Sequence, residues 1–226
     1  MILKMSKEEF ECVRNDERLA CLISLARAVN SINFCIDVGK DTIKENDCTK
    51  TQNEISEETK NYRKIINSFF ILNGFLYEAL KIVDSLGKYY NDTDYYKVYL
   101  STINKGEEVK EYKEKILKKI RSHIAFHFCI KDNKENNFIS DTLRDLKIEK
   151  YIFATFFENS SEGVYFNLAD EVVTNYLFDK DLSPDQEMKE VYNWSKKSGA
   201  IAKEFVENSS KFLYCAAKDL KWSETN

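Results

Sequence analysis

The feature that most limits what this chain can fold into is its shortage of helix breakers, with one proline and six glycines in 226 residues. Proline removes a backbone N–H and clashes with the turn before it, and glycine in a helix interior costs conformational entropy. A chain with so few of either can run long helices, and its apolar spacing shows where. From Glu8 to about Val38, apolar residues recur three and four apart at Leu19, Leu22, Ile23, Ala26, Val29, Phe34 and Val38, with Gly39 as the end signal. Asp41 to Gln52 is polar and aperiodic and reads as a connecting loop. A second helix starts near Ser56 and runs through Ile65, Phe69, Leu72, Leu76, Leu80 and Val83 to about Leu86. Its wide apolar arc makes it the most buried helix. Gly87 and Asn91-Asp92 mark a break, and Tyr95 to Leu100 forms a short helix.

Gly106 opens a third long helix, with Val109, Tyr112, Ile116, Ile120 and Ile124 as its apolar stripe. Asp132 to Asn137 is a loop, and Ser140 to Leu146 a short helix. Tyr151 to Phe157 and Val164 to Leu168 are aromatic and β-prone, and they flank a turn at Glu158 to Gly163, so they predict a β-hairpin. Helix returns from Asp170 to Phe178. Ser183-Pro184-Asp185 caps and starts the last long helix, which reaches about Leu220. Gly199 inside it signals close packing, and Ser223 to Asn226 is expected to fray. The predicted fold is all-α: a single domain over residues 1–226, an antiparallel bundle of four to five long helices with a small β-hairpin insertion at 151–168.

A net charge of −4 argues against a global basic field and so against a histone-like nucleic-acid binder. The N-terminus has no apolar run of signal-peptide length, and no unbroken run of 18 apolar residues predicts a membrane span. The cytoplasm is the expected compartment. None of Cys12, Cys21, Cys35, Cys48, Cys129 and Cys215 forms a CxxC pair, so a zinc ribbon is not supported. All but Cys48 sit in helix-like runs and read as small core residues.

Chemistry concentrates in one stretch, Ile120-Arg121-Ser122-His123-Ile124-Ala125-Phe126-His127-Phe128, which holds both histidines of the chain. Upstream, lysines and glutamates interleave in favourable i,i+4 pairs such as Glu111 with Lys115, the pattern of a solvated helix face. Then the acids stop while Lys118, Lys119 and Arg121 continue, leaving a locally basic end. On an ideal helix His123 and His127 fall within about 20° of Ile116, on the apolar stripe, and Arg121 about 140° away. Arg121 reaches the same cleft only from the side, or if the helix is distorted.

Three readings compete. Both histidines can be structural, buried and bonded to neighbouring carbonyls. The i,i+4 pair can chelate zinc, but the glutamate of HExxH is absent and further ligands must come from distant carboxylates. Or the cluster can cleave RNA without metal or cofactor. Arginine grips a phosphate, and a histidine moves a proton as the ribose 2′-OH attacks its own phosphorus.

An arginine followed, after four to six residues, by a histidine late in a helix of an all-α bundle resembles the HEPN (higher eukaryotes and prokaryotes nucleotide-binding) domain superfamily. The matching residues are Arg121-Ser122-His123-Ile124-Ala125-Phe126-His127. The wording looks like uncharacterised bacterial HEPN-like proteins, and the resemblance covers roughly Glu8 to Cys129. It implies an RNA-binding protein or metal-independent endoribonuclease of toxin–antitoxin or defence systems. It also implies a homodimer that brings two motifs to one cleft, and an antitoxin or other protein as partner. Arg121 and His127 are then the catalytic pair, with His123 and Ser122 in support and Lys118 and Lys119 binding RNA. Family members often carry a bulkier polar residue where Ser122 stands. Glu78, on the most apolar helix, needs a partner if buried, and Arg121 or a histidine is the obvious one. The alternative function is a non-enzymatic helical interaction module with structural histidines.

Overall fold

The computed structural model describes residues 2–44, 54–103, 112–120, 155–156, 164–165, 173, 176–177 and 184–225. Strand β1 (Ile2–Lys4) leads to helix α1 (Lys7–Val13), whose Ser6 and Glu9 close a reciprocal capping box. The single helix expected from Glu8 onward is broken here. Asp16 accepts from the Arg18 backbone N–H at 2.9 Å and holds the guanidinium with both carboxylate oxygens, so the chain caps and restarts as α2 (Glu17–Lys44).

Gly39 does not end α2, which continues past Asp41, the expected loop start, to Lys44. Helix α3 (Glu54–Tyr90) likewise runs through Gly87 and stops at Asn91. A helix made cohesive by its buried face tolerates the small local cost of glycine. Gly87 has a reason of its own. A Cβ there would lie 3.2 Å from the Tyr96 hydroxyl, which donates to the Val83 carbonyl and seats α4 (Asp94–Ile103) against α3. Gly199, by contrast, has nothing within 4 Å of the place a Cβ would take, which corrects the expectation of close packing.

Residues 112–120 are helical and include a π turn at Lys113–Leu117; this stretch is α5. Thr155–Phe156 (β2) and Val164–Tyr165 (β3) pair antiparallel, Thr155 opposite Tyr165. The rest of 151–168 lies outside the described residues, as do 132–137 and 140–146. The last helix, α6 (Pro184–Asp219), starts and ends where its sequence signals put it. It closes with Lys221 in the left-handed region (φ 68°) and the Trp222 N–H on the Ala217 carbonyl. The tail then pairs with the head: Ser223–Thr225 (β4) lies antiparallel to β1, so it is not the frayed end expected.

The architecture is all-α in its main body, with α2, α3 and α6 packing on one another and α4 on α6. Leu25, Ile32, Leu76, Leu86, Phe212 and Ala216 are among its fully enclosed residues. Phe212 is ringed by Tyr90, Tyr95, Tyr96 and Tyr99, with ring centroids 4.8–5.7 Å away. Of the described cysteines only Cys35 is buried, and Cys12 is exposed rather than core. Glu17–Gly39 and Lys64–Tyr90 are long and apolar enough to cross a membrane by length and composition; 33% and 39% of their most apolar windows is buried inside the protein. The expectation of no span rested on unbroken apolar runs, which these windows do not require.

Candidate functional site

Arg121, Ser122, His123 and His127 lie outside the described residues. What is described is α5, the helix that leads into them, and the ground it stands on. Tyr112, Ile116, Leu117 and Ile120 are all buried. Three of these belong to the stripe read from the sequence. Leu117 does not, and the π turn accounts for it. A π turn holds one residue more than an α turn, so neighbouring positions share the buried side. The angle that set Arg121 apart from Ile116 assumed an unbroken α-helix. The turn includes that reference, so the projection does not carry over.

Beneath α5 is a buried polar node that sequence reasoning missed. Asn73 of α3 and Ser198 of α6 are fully enclosed, and Tyr112 joins them. The Tyr112 hydroxyl donates to Asn73 Oδ1 and contacts Ser198 Oγ. Asn73 Nδ2 donates to the Phe69 carbonyl at 2.6 Å and to Ser198 Oγ at 3.3 Å, and Ser198 Oγ reaches the Trp194 carbonyl at 2.8 Å. The Trp194 indole stacks on the Tyr112 ring, centroids 5.8 Å apart. Burial pushes the Tyr112 phenol far up, against the smaller pull of its two hydrogen-bond partners, so it stays a neutral donor. One signal was available: an asparagine inside the most apolar helix, between Leu72 and Gly74.

A recess of about 40 Å³, room for a water or two, opens beside this node. Leu76, Leu80, Ile103, Leu117 and Phe205 make its apolar wall, and Lys113 and Glu204 bring charge to it. Burial lowers the Lys113 amine below its ordinary value, opposed by the charge of Asp84.

The described lysines of the basic end differ. Lys118 is exposed. Lys119 is half-buried; its ammonium lies 5.3 Å from the centroid of the Tyr176 ring and donates to the Tyr176 carbonyl at 3.4 Å. Glu78 is half-exposed and pairs with Lys81 at 3.7 Å. It is a boundary residue of α3, so no burial compels the pairing with Arg121 or a histidine expected for it. Among the described residues no group of three or more His, Cys, Asp or Glu could hold a metal ion. No protein-family model matches the chain, and no curated protein or solved structure matches it.

Proposed function

We propose that this protein is a HEPN-like RNA-binding protein or metal-independent endoribonuclease, in a toxin or defence role, in the cytoplasm and away from membranes. Its fold is read as an antiparallel bundle of four to five long helices in one domain, with a β-hairpin inserted at 151–168. The observation that carries the reading is the Arg121 to His127 spacing, next in sequence to the described residues 112–120, which a buried polar node anchors. Arg121 stabilises charge on the phosphate oxygens, and His127 positions or transfers the proton of the 2′-OH. His123 and Ser122 support them, and Lys118 supplies a solvent-facing cation for the RNA backbone. Two copies bring two motifs to one cleft, and an antitoxin or other protein partner holds them in check.

The test is cleavage of a defined RNA in excess chelator, with Arg121→Ala and His127→Ala beside the wild type. Activity that survives both substitutions in folded protein removes the assignment. A second reading, a non-enzymatic helical interaction module with structural histidines, draws support from the apolar residues that α2 turns outward: Ile23, Phe34 and Val38.

A further inference from the structure

Both ends of the π turn, Lys113 and Leu117, line the recess beside the polar node. Lys113 is half-buried, and Leu80 of α3 and Phe205 of α6 belong to the same wall. The titratable side chains of the lining are Tyr112, Lys113 and Glu204. The Tyr112 hydroxyl is committed to the node, where it donates to Asn73 Oδ1. The Thr102 hydroxyl, also in the lining, donates to the Tyr99 carbonyl at 2.7 Å. What remains is one amine and one carboxylate on a largely apolar space. The pair selects its ligand. An amine drawn out of water is held less firmly in its charged form, and burial lowers the Lys113 amine against the opposing charge of Asp84. A carboxylate ligand would gain little from such an amine and would meet Glu204 as a like charge. A neutral electrophile meets neither difficulty, and the unprotonated amine is the form that attacks a carbonyl carbon. Size sets a second limit. A cavity of about 150 Å³ takes benzene. The recess has about 40 Å³, enough for a short chain and too little for a ring.

We propose that Lys113 is a Schiff-base site for a short aliphatic aldehyde, whose carbon chain lies on the apolar wall of the recess. Lys113 Nζ bonds to the carbonyl carbon, and the carbonyl π pair moves to the oxygen. That oxygen takes up a proton as the nitrogen loses one, giving a carbinolamine. The nitrogen lone pair then forms the C=N bond and the C–O bond breaks. The oxygen leaves as water, and both of its hydrogens have come from the amine. Glu204 relays the proton from nitrogen to oxygen. Nothing is oxidised or reduced, and hydrolysis returns the free lysine. The inference stands apart from the nuclease reading, because it uses no residue of the arginine–histidine motif.

The experiment treats the full chain with ethanal or butanal and sodium cyanoborohydride, which traps the imine as a stable amine. Peptide mass spectrometry then gives the labelling rate at Lys113 and at two exposed lysines, Lys97 and Lys211. Lys113 should take butanal over ethanal by about tenfold, for two further methylenes moved out of water. Lys97 and Lys211 should show no such preference, since no recess receives the chain there. This ratio is read in the wild type, so it does not depend on a variant folding. Leu80→Phe, verified as folded by circular dichroism, fills the recess and should abolish the preference at Lys113. Glu204→Gln should slow labelling at Lys113 by about tenfold or more and leave Lys97 as it was. Butanoate should not protect Lys113. The same chain-length profile at all three lysines, a preference that survives Leu80→Phe, or a Glu204→Gln variant labelled like the wild type would each overturn the proposal. So would protection by butanoate, since that gives the recess to an anion. RNA cleavage is scored separately, so failure of this site and failure of the nuclease reading are distinguishable.

Discussion

The Tyr112 hydroxyl donates to Asn73 Oδ1, tying α5 to α3 at a point where both residues are enclosed. Ser198 brings α6 to the same point. Three oxygen–oxygen contacts, Tyr112 to Asn73, Tyr112 to Ser198 and Ser198 to the Trp194 carbonyl, are served by two hydroxyl protons. The Tyr112 proton goes to Asn73, and Ser198 Oγ donates to the Trp194 carbonyl while touching the Tyr112 hydroxyl. The three helices are therefore coupled through groups that cannot be removed singly without stranding a neighbour.

Asn73→Leu should cost about 1–3 kcal/mol, because it leaves the buried Tyr112 hydroxyl short of its acceptor. Tyr112→Phe should also destabilise by stranding Asn73 Oδ1. The double variant should cost less than the sum, since the stranded groups leave together. Urea unfolding of the three variants measures this, and strict additivity would mean the node is not coupled.

Cleavage by the wild type should persist in chelator and leave 2′,3′-cyclic phosphate or 3′-phosphate ends, with DNA of the same sequence intact. Arg121→Ala and His127→Ala should each lower the rate by about a hundredfold or more. His123→Ala should cost less, because it acts in support. Elemental analysis of the purified protein should find no stoichiometric zinc; zinc that is lost on His123→Ala would revive the metal reading.

Lys118→Ala should weaken RNA binding and lower the salt dependence by about one released counterion (slope about 0.7 for a single strand). Lys119→Ala should change that slope less, since its ammonium is held against Tyr176. Fluorescence titrations at several salt concentrations separate the two. Equal slopes for both variants would contradict the difference seen in α5.

Lys221→Gly should stabilise the fold by about 0.5–1 kcal/mol. Lys221 occupies the left-handed position after α6, where a side chain is strained and glycine is not. Thermal unfolding reads the gain directly. A loss of stability would mean that the lysine side chain contributes more than its backbone costs.

Protonation of Asp16 should loosen the junction between α1 and α2. Its carboxyl is held below the ordinary 3.8, first by the hydrogen bond from the Arg18 side chain. A depressed carboxylate contributes stability above its unfolded value and loses it as pH falls through the folded one. The contribution should therefore be full above about pH 4 and fade below. Asp16→Ala should cost about 1 kcal/mol near neutral pH, as a lost N-cap does. The gap between variant and wild type should close in acid. A gap that stays constant down to pH 2 would show that the carboxylate charge is not what caps α2.

The long helices were legible because their signals are local and repeated. Pro184 after Ser183 marked the start of α6, and apolar spacing marked α2 and α3. Glycine misled at Gly39 and Gly87, which were read as helix ends and lie inside α2 and α3. Gly39, Gly87 and Gly199 all lie inside helices, and only Gly87 answers to a neighbour, the Tyr96 hydroxyl. The π turn was illegible because the projection assumed one period throughout. Leu117 lies within that turn and is buried. The node was hidden for another reason. Asn73, Tyr112 and Ser198 are far apart in sequence, and each alone resembles an ordinary helix residue. The capping of α2 by Asp16 was readable from its residue type, but the helix was read as continuous from Glu8.

The ladder between β1 and β4 has a mechanical consequence. Ile2 sits opposite Thr225, and Lys4 opposite Ser223, so residues 2 and 225 emerge at the same end of the ribbon. A pull applied at those two residues loads the pairs one after another, as a zipper opens, rather than together in shear. The ribbon should therefore peel at low force. An unfolding machine that grips either end would next reach α6 and its left-handed cap, or α1 and its capping box, with the core still closed.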